Sequence, residues 1–245
     1  MPLEPELDDP KLVESAYLAF LRLLQLADSA LPIGALAHSF GLESLVEAEM
    51  LTPPGLPDFL RGYLEEAGML DAVFCRHAFR LGGRNGEGFP SARWVEINDR
   101  LSALKPARES RAGSAALGQN FLAAVLGVAE CQALREAFEA VRRSRGPVYH
   151  CTAFGLAAGV LGIDEECAVL GFLHQAIASL VSACQRLLPI GQSEATRILW
   201  NLKPTMIETA GRSRDYRIDE VSCFMPLLDW GAMEHPALST RLFIS

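Results

Sequence analysis

CAVLGFLHQAIASLVSACQ, residues 167–185, carries no formally charged side chain, and its length suits either a membrane span or the central helix of a soluble bundle. The polar residues decide between the two. His174, Gln175, Ser179, Ser182 and Gln185 interrupt the run, while Glu165 and Glu166 precede it and Arg186 follows, charges that match the two ends of a helix dipole. The segment reads as a buried core helix with Asp164 as its cap and no membrane crossing.

Helical spacing continues on both sides. Leu12, Val13, Ala16, Tyr17, Phe20, Leu23, Leu24 and Ala27 recur every three or four residues on one stripe of a helix, which Asp28, Ser29 and Pro32 stop. A second helix is expected from Ser39 through Met50 and a third from Pro57 to about Leu81, with a glycine-rich surface loop at 82–88. Further helices fit 91–104, 106–126, 129–144 and 151–161; after the central helix another starts at a Ser193 cap and is kinked or divided by Pro204. No stretch alternates with period two over a strand's length. The pattern predicts an all-α fold, a single bundle of about eight to ten helices over residues 11–229, with a flexible acidic segment at 1–10 and a tail at 230–245.

Composition sets outer limits. With 245 residues, 50 % apolar and 21 % charged, the chain is long and apolar enough to bury a core. Lysine and arginine number 22 against 30 acidic residues, a net charge of −8, which argues against a nucleic-acid binder. Six cysteines stand singly with no Cys-x-x-Cys, and the acidic, proline-punctuated start lacks the basic flank and apolar stretch of a signal peptide. A reducing, cytoplasmic setting is expected.

Spacings that carry common chemistries are missing. Ala35, Phe74, Pro147, Gly171 and Ala232 stand three positions before the five histidines, so there is no Glu-x-x-His pair for a di-iron centre. There is no His-Glu-x-x-His, and no Gly-Lys for a phosphate cradle. Ala37-His38-Ser39-Phe40-Gly41 has the flanked serine of a nucleophile elbow without the strand beneath it, and Ser39 reads better as a helix cap. Cys75-Arg76-His77 and His150-Cys151 each offer one nitrogen and one sulfur, too few to close a metal site. No catalytic residue, cofactor or metal is expected. The competing reading is a small all-α enzyme or metal-binding protein using His38, Glu43 and a cysteine.

Leu31-Pro32-Ile33-Gly34 and Leu188-Pro189-Ile190-Gly191 each follow an amphipathic helix and precede a serine-started one. They are either a shared stop-and-restart turn or a duplicated functional corner. At the first of them His38 and Glu43 are expected to face outward or to line a groove between subunits. The last residues, Leu242-Phe243-Ile244, follow Trp230, Met233 and a proline in a stretch without helical period. An apolar terminus of this kind is either docked on its own domain or kept for another protein.

Residues 23–43, LLQLADSALPIGALAHSFGLE, resemble the N-terminal signature of the UreF family of urease accessory proteins. Residues 98–111, NDRLSALKPARESR, resemble the arginine-bearing middle helices of that family; RLLPIGQ at 186–192 resembles its Arg-Leu-x-Pro-Leu-Gly-Gln corner, and STRLFIS at 239–245 its Tyr-Ser-Arg-Leu-Phe-Arg-Ser ending. The chain departs from the pattern at Ser239, where tyrosine is usual, at Pro236, where glutamate follows the histidine, and at Ile244, where arginine is usual. The resemblance implies an all-helical, non-enzymatic chaperone for nickel insertion into urease. Such a chaperone dimerises, binds UreD/UreH, presents a surface to the GTPase UreG and serves the urease apoprotein. Partner binding then falls to His38, Ser39, Glu43, Arg186, Gln192, Arg241, Leu242 and Phe243.

Overall fold

Proline and glycine punctuation cuts the chain into helices joined by short turns. The structure of the protein, a computed structural model, describes residues 10–83 and 88–245. The acidic segment at 1–9 and positions 84–87 of the glycine-rich loop lie outside the described residues. The helices are α1 (Pro10–Leu26), α2 (Leu42–Glu47), α3 (Leu56–Tyr63), α4 (Met69–Gly82), α5 (Ser91–Leu104), α6 (Arg108–Val128), α7 (Gln132–Ser144), α8 (His150–Val160), α9 (Glu165–Leu187), α10 (Gln192–Asn201), α11 (Lys203–Arg212) and α12 (Pro226–Glu234). Ten of them reach nine residues or more and no strand occurs among the described residues, so the fold is the all-α bundle that the periodicity predicts.

Local chemistry places the boundaries. The Asp164 carboxylate accepts the Cys167 amide at 2.9 Å and opens α9. Pro204, in the first turn of α11, divides that helix from α10. The two Leu-Pro-Ile-Gly corners share one geometry: Ile33 N donates to Leu31 O at 2.7 Å and Ile190 N to Leu188 O at 2.8 Å, three-residue turns that turn each proline outward and bury each isoleucine.

Helix α9 runs through the middle, packed by α1, α2, α4, α8, α10 and α11. Among the described helices it alone has the length and hydropathy to cross a membrane, and more than half of its apolar window is inside the bundle. Its apolar side chains cover other helices. Against it, α4 and α8 approach at backbone contact, because a Cβ at Gly155 would collide with the Cys75 carbonyl and one at Gly159 with that of Phe79. Asn98 on α5 ties down the start of α8, accepting from Tyr149 N at 3.1 Å and Thr152 Oγ1 at 2.7 Å. Buried Arg76 on α4 bonds Glu165 and Glu166 of α9, each at 2.9 Å, and the Ala210 carbonyl of α11.

Four expectations need correction. The second helix opens at Leu42, not Ser39; Gly41, at φ +93°, precedes it, and Ser39 Oγ meets only the Glu43 amide at 3.4 Å. Helix α10 begins at Gln192 after Gly191, with no cap from Ser193. The apolar stripe of α1 is not buried: Tyr17, Phe20 and Leu24 are exposed, and among the described side chains of the helix only Leu26 is fully covered, because the helix lies on the outside of α9 with Leu23 set against Gly171. Finally, residues 226–234 are helical. Helix α12 buries only Gly231 and Ala232, so its contact face leaves no apolar stripe in the sequence.

The α4–α8 seam sets a stability contrast between two glycines. Gly155→Ala should cost about 2–4 kcal/mol, since two backbones must separate. Gly211→Ala, in α11 with nothing near the added methyl, should gain about 0.5–1 kcal/mol from helix propensity. Urea denaturation of the two variants checks both signs.

Candidate functional site

The site is built where the first corner meets the last residues of the chain. Phe40, at φ +53°, and Gly41 bend the backbone so that the amides of Ser39 and Phe40 both point at the Ser245 carbonyl, the second at 3.1 Å. Ile244 N donates to Ala37 O at 2.8 Å. Burial holds the His38 imidazole below its ordinary value, which favours the neutral ring, and its Nδ1 shares a hydrogen bond with the Ser245 hydroxyl at 2.7 Å.

Glu43 is the centre of the arrangement. One carboxylate oxygen accepts Leu242 N at 2.6 Å; the other accepts Phe243 N at 3.2 Å and faces His235 Nε2 at 2.9 Å. The opposite ring nitrogen, Nδ1, lies 2.9 Å from Glu109 Oε2 on α6. His235 is wholly buried, and Glu43 is 8 % exposed. Close approach is possible because the residues that meet here are glycines: a Cβ on Gly41 would strike Ala232 N, and one on Gly113 of α6 would strike Ser245 Oγ.

The tail therefore packs on its own chain. Its residues alternate as in an extended strand, with Phe243 and Ser245 buried and Arg241, Leu242 and Ile244 exposed. Phe243 joins the main core, and the Arg186 guanidinium lies 4.2 Å over its ring while donating to Leu36 O at 2.7 Å.

Of the residues singled out in the sequence, His38, Ser39, Glu43, Arg186, Leu242 and Phe243 converge here. The expectation that His38 and Glu43 face outward or into a groove between subunits is corrected: both are buried, with the tail over them. No cysteine joins them, against the reading of a His38, Glu43 and cysteine ligand set. Arg241 stands at the rim in solvent. Gln192 lies apart, accepting a hydrogen bond from Gln185 Nε2 at 2.8 Å. His235 and Glu109 escaped the sequence reading. The available signal was a histidine in a weakly patterned tail, whose partners lie 192 and 126 positions away.

A second polar locus is internal. A chamber of about 90 Å³ is lined by Tyr63, Asp71, Lys105, Ser114 and His150, among others. Lys105 Nζ bonds Asp71 at 2.8 Å; burial works against the lysine charge, and the Asp71 carboxylate outweighs it and holds the lysine above its ordinary value. Burial pushes His150 down to about 4, and its Nε2 has no partner. Cys151 meets Asp71 at 3.6 Å, and burial raises its thiol well above the usual range, which keeps it protonated. Among the described residues no three His, Cys, Asp or Glu side chains form a group able to hold a metal ion.

What these features define is an all-helical protein with its C-terminal residues folded into an N-terminal corner. The family described as UreF matches residues 52–203. The urease accessory protein UreF of Bradyrhizobium sp. strain ORS 278 is 33 % identical over 242 residues, covering 96 % of both chains. That of Methylorubrum populi is 33 % identical, covering 92 % of this chain and 98 % of its own, and that of Rhodopseudomonas palustris strain BisB5 is 30 % identical, covering 91 % and 90 %. The chain belongs to the UreF family of urease accessory proteins.

Two measurements test the site and the chamber. Glu43→Ala strands two backbone amides and a buried histidine and should cost about 2–4 kcal/mol in chemical denaturation, whereas exposed Glu47→Ala should stay within about 0.5 kcal/mol. His150 is neutral in both folded and unfolded chains above pH 6.5, but between 6.5 and about 4 only the unfolded chain takes up the proton. Stability should fall through that window as pH drops, by about 3 kcal/mol in full, and His150→Phe should remove that share of the acid sensitivity.

Proposed function

We propose that the chain is a non-enzymatic scaffold of urease maturation. It works as a homodimer in the cytoplasm, binds UreD/UreH and UreG, and positions them on the urease apoprotein while nickel, the cargo, is inserted. Membership of the UreF family supports this reading. The observation that carries it is the tail: Arg241, Leu242 and Ile244 are exposed on a backbone fixed at Ala37, Phe40 and Glu43. A partner meets an apolar edge whose ordering cost has already been met in folding.

Phe243 acts from beneath, anchoring the edge through Arg186 and the core. The exposed face of α1, with Tyr17, Phe20, Leu21 and Leu24, is a further uncovered apolar surface. A patch of this kind suits a chain that works covered by another subunit.

The test is co-purification of the tagged chain with UreD/UreH and UreG. Leu242→Asp with Ile244→Asp should leave the melting temperature within about 2 °C, since both side chains are already in water, yet abolish binding of at least one partner. Full retention of every partner by the double variant, or turnover by the isolated chain, would overturn the proposal.

A further inference from the structure

The internal chamber draws its walls from α4, α6, α8, α9, α12 and the first corner, and those walls are chemically uneven. Phe172, Leu180 and Leu228 make them apolar, while Lys105, Ser114 and His150 bring polar groups to the same space. The His150 ring is set against Phe121, Phe154 and Phe172, with centroids 5.5, 6.4 and 5.5 Å away. None of those three rings has a nitrogen or oxygen to offer. His150 Nε2 is buried and has no hydrogen-bond partner among the described residues, which is costly unless something in the chamber supplies the bond.

Lys105 makes the second demand. Its ammonium carries three hydrogens, and Asp71, 2.8 Å away, takes one. The pair cancels its own charge, and His150, held down at about 4 by burial, is neutral at pH 7. Asp71 is the one carboxylate in the lining and is already paired, so a metal ion would find no anionic ligand left for it. A free anion fares no better, because no cation is left unpaired to receive it. What the walls suit is a neutral molecule with an acceptor for Lys105, a group able to bond Nε2 and an apolar part to lie on Leu180 and Leu228. An amide has all three, with acceptor and donor on neighbouring atoms. At about 30 Å³ per water, a volume of about 90 Å³ matches roughly three waters or one molecule of about four heavy atoms. We propose that the chamber is a binding site for a small neutral amide, bonded by Lys105 and His150.

The chamber also adjoins the corner that receives the tail. Phe40 lines it, and the amide of that residue donates to the Ser245 carbonyl at 3.1 Å. Leu228 lines it from α12, the helix that leads into the tail. An occupant therefore lies against two of the residues that shape the docked corner, and by mass action its binding stabilises that arrangement. The site stands apart from the choice of protein partners, because its readout needs none of them.

The experiment titrates the full chain at pH 7 with three probes of equal size: acetamide, acetate and guanidinium. Binding is followed by the nitrogen-15 shift of His150 Nε2 and by nuclear Overhauser contacts from the acetamide methyl to Leu228. Ligands this small bind no tighter than about tens of micromolar, so the series runs to about 100 mM. Acetamide should saturate within that range, move the Nε2 signal and touch Leu228, and should bind more tightly than either ion. His150→Phe keeps an aromatic ring but removes both nitrogens, and should weaken acetamide about tenfold or more. An Nε2 signal that no probe moves, the result if water alone fills the chamber, would overturn the site. So would acetate or guanidinium binding as tightly as acetamide, or a folded His150→Phe that binds acetamide as the wild type does. If the variant fails to fold, the wild-type spectra and the ranking of the probes decide the question.

Discussion

A carboxylate removed from water must be supplied with donors, and Glu43 is supplied from three directions at once. None of these donors is local. His235 and the two tail amides come from the far end of the chain, so the N-terminal corner is satisfied only when the C-terminal segment lies across it. Much of the neighbouring structure follows from that requirement. Gly41 and Gly231 let α2 and α12 cross at backbone distance, Gly113 clears room on α6 for Ser245, and Phe40 takes a left-handed conformation that orients two amides toward one carbonyl. The corner is a receptor for its own tail.

This arrangement also explains why an apolar tail does not behave as a loose one. Alternation puts Phe243 into the core and Leu242 and Ile244 into solvent, so the same three residues seal the fold and display a surface. Arg186 serves both ends of the chain, over Phe243 with its charge and against Leu36 O with a hydrogen bond. It stands just before the second Leu-Pro-Ile-Gly turn, and the carbonyl it holds lies just after the first. The two matching turns are thus joined through a single side chain.

What was legible in the sequence was local. Asp164 as a cap, Pro204 as a divider, the matching corners and the uncharged run of α9 each depend on neighbours in the chain, and each stands where the pattern put it. What was not legible depended on distant partners. The apolar face of α1 has the periodicity of a buried helix, and periodicity alone cannot say whether a surface is covered by the same chain or by another. Helix α12 was hidden for the converse reason, since contact through glycine and alanine leaves no stripe. Glu43 and His38 read as surface residues because polar side chains usually are, and their burial rests on partners about 200 positions away. The fold was therefore readable at the level of class and helix order, while the site was readable as residues but not as a geometry.

One consequence of the tail in its corner concerns the order of synthesis. Ala37, Phe40 and Glu43 emerge early from the ribosome, yet their partners are residues 242–245. At about 5–20 residues per second the corner waits on the order of 10–40 seconds for them. During that interval its amides and its carboxylate are served by water or by whatever else binds there, while the helices around α9 can already associate. A chain that ended short of residue 235 would hold every helix packed on α9 and yet leave this one seam open.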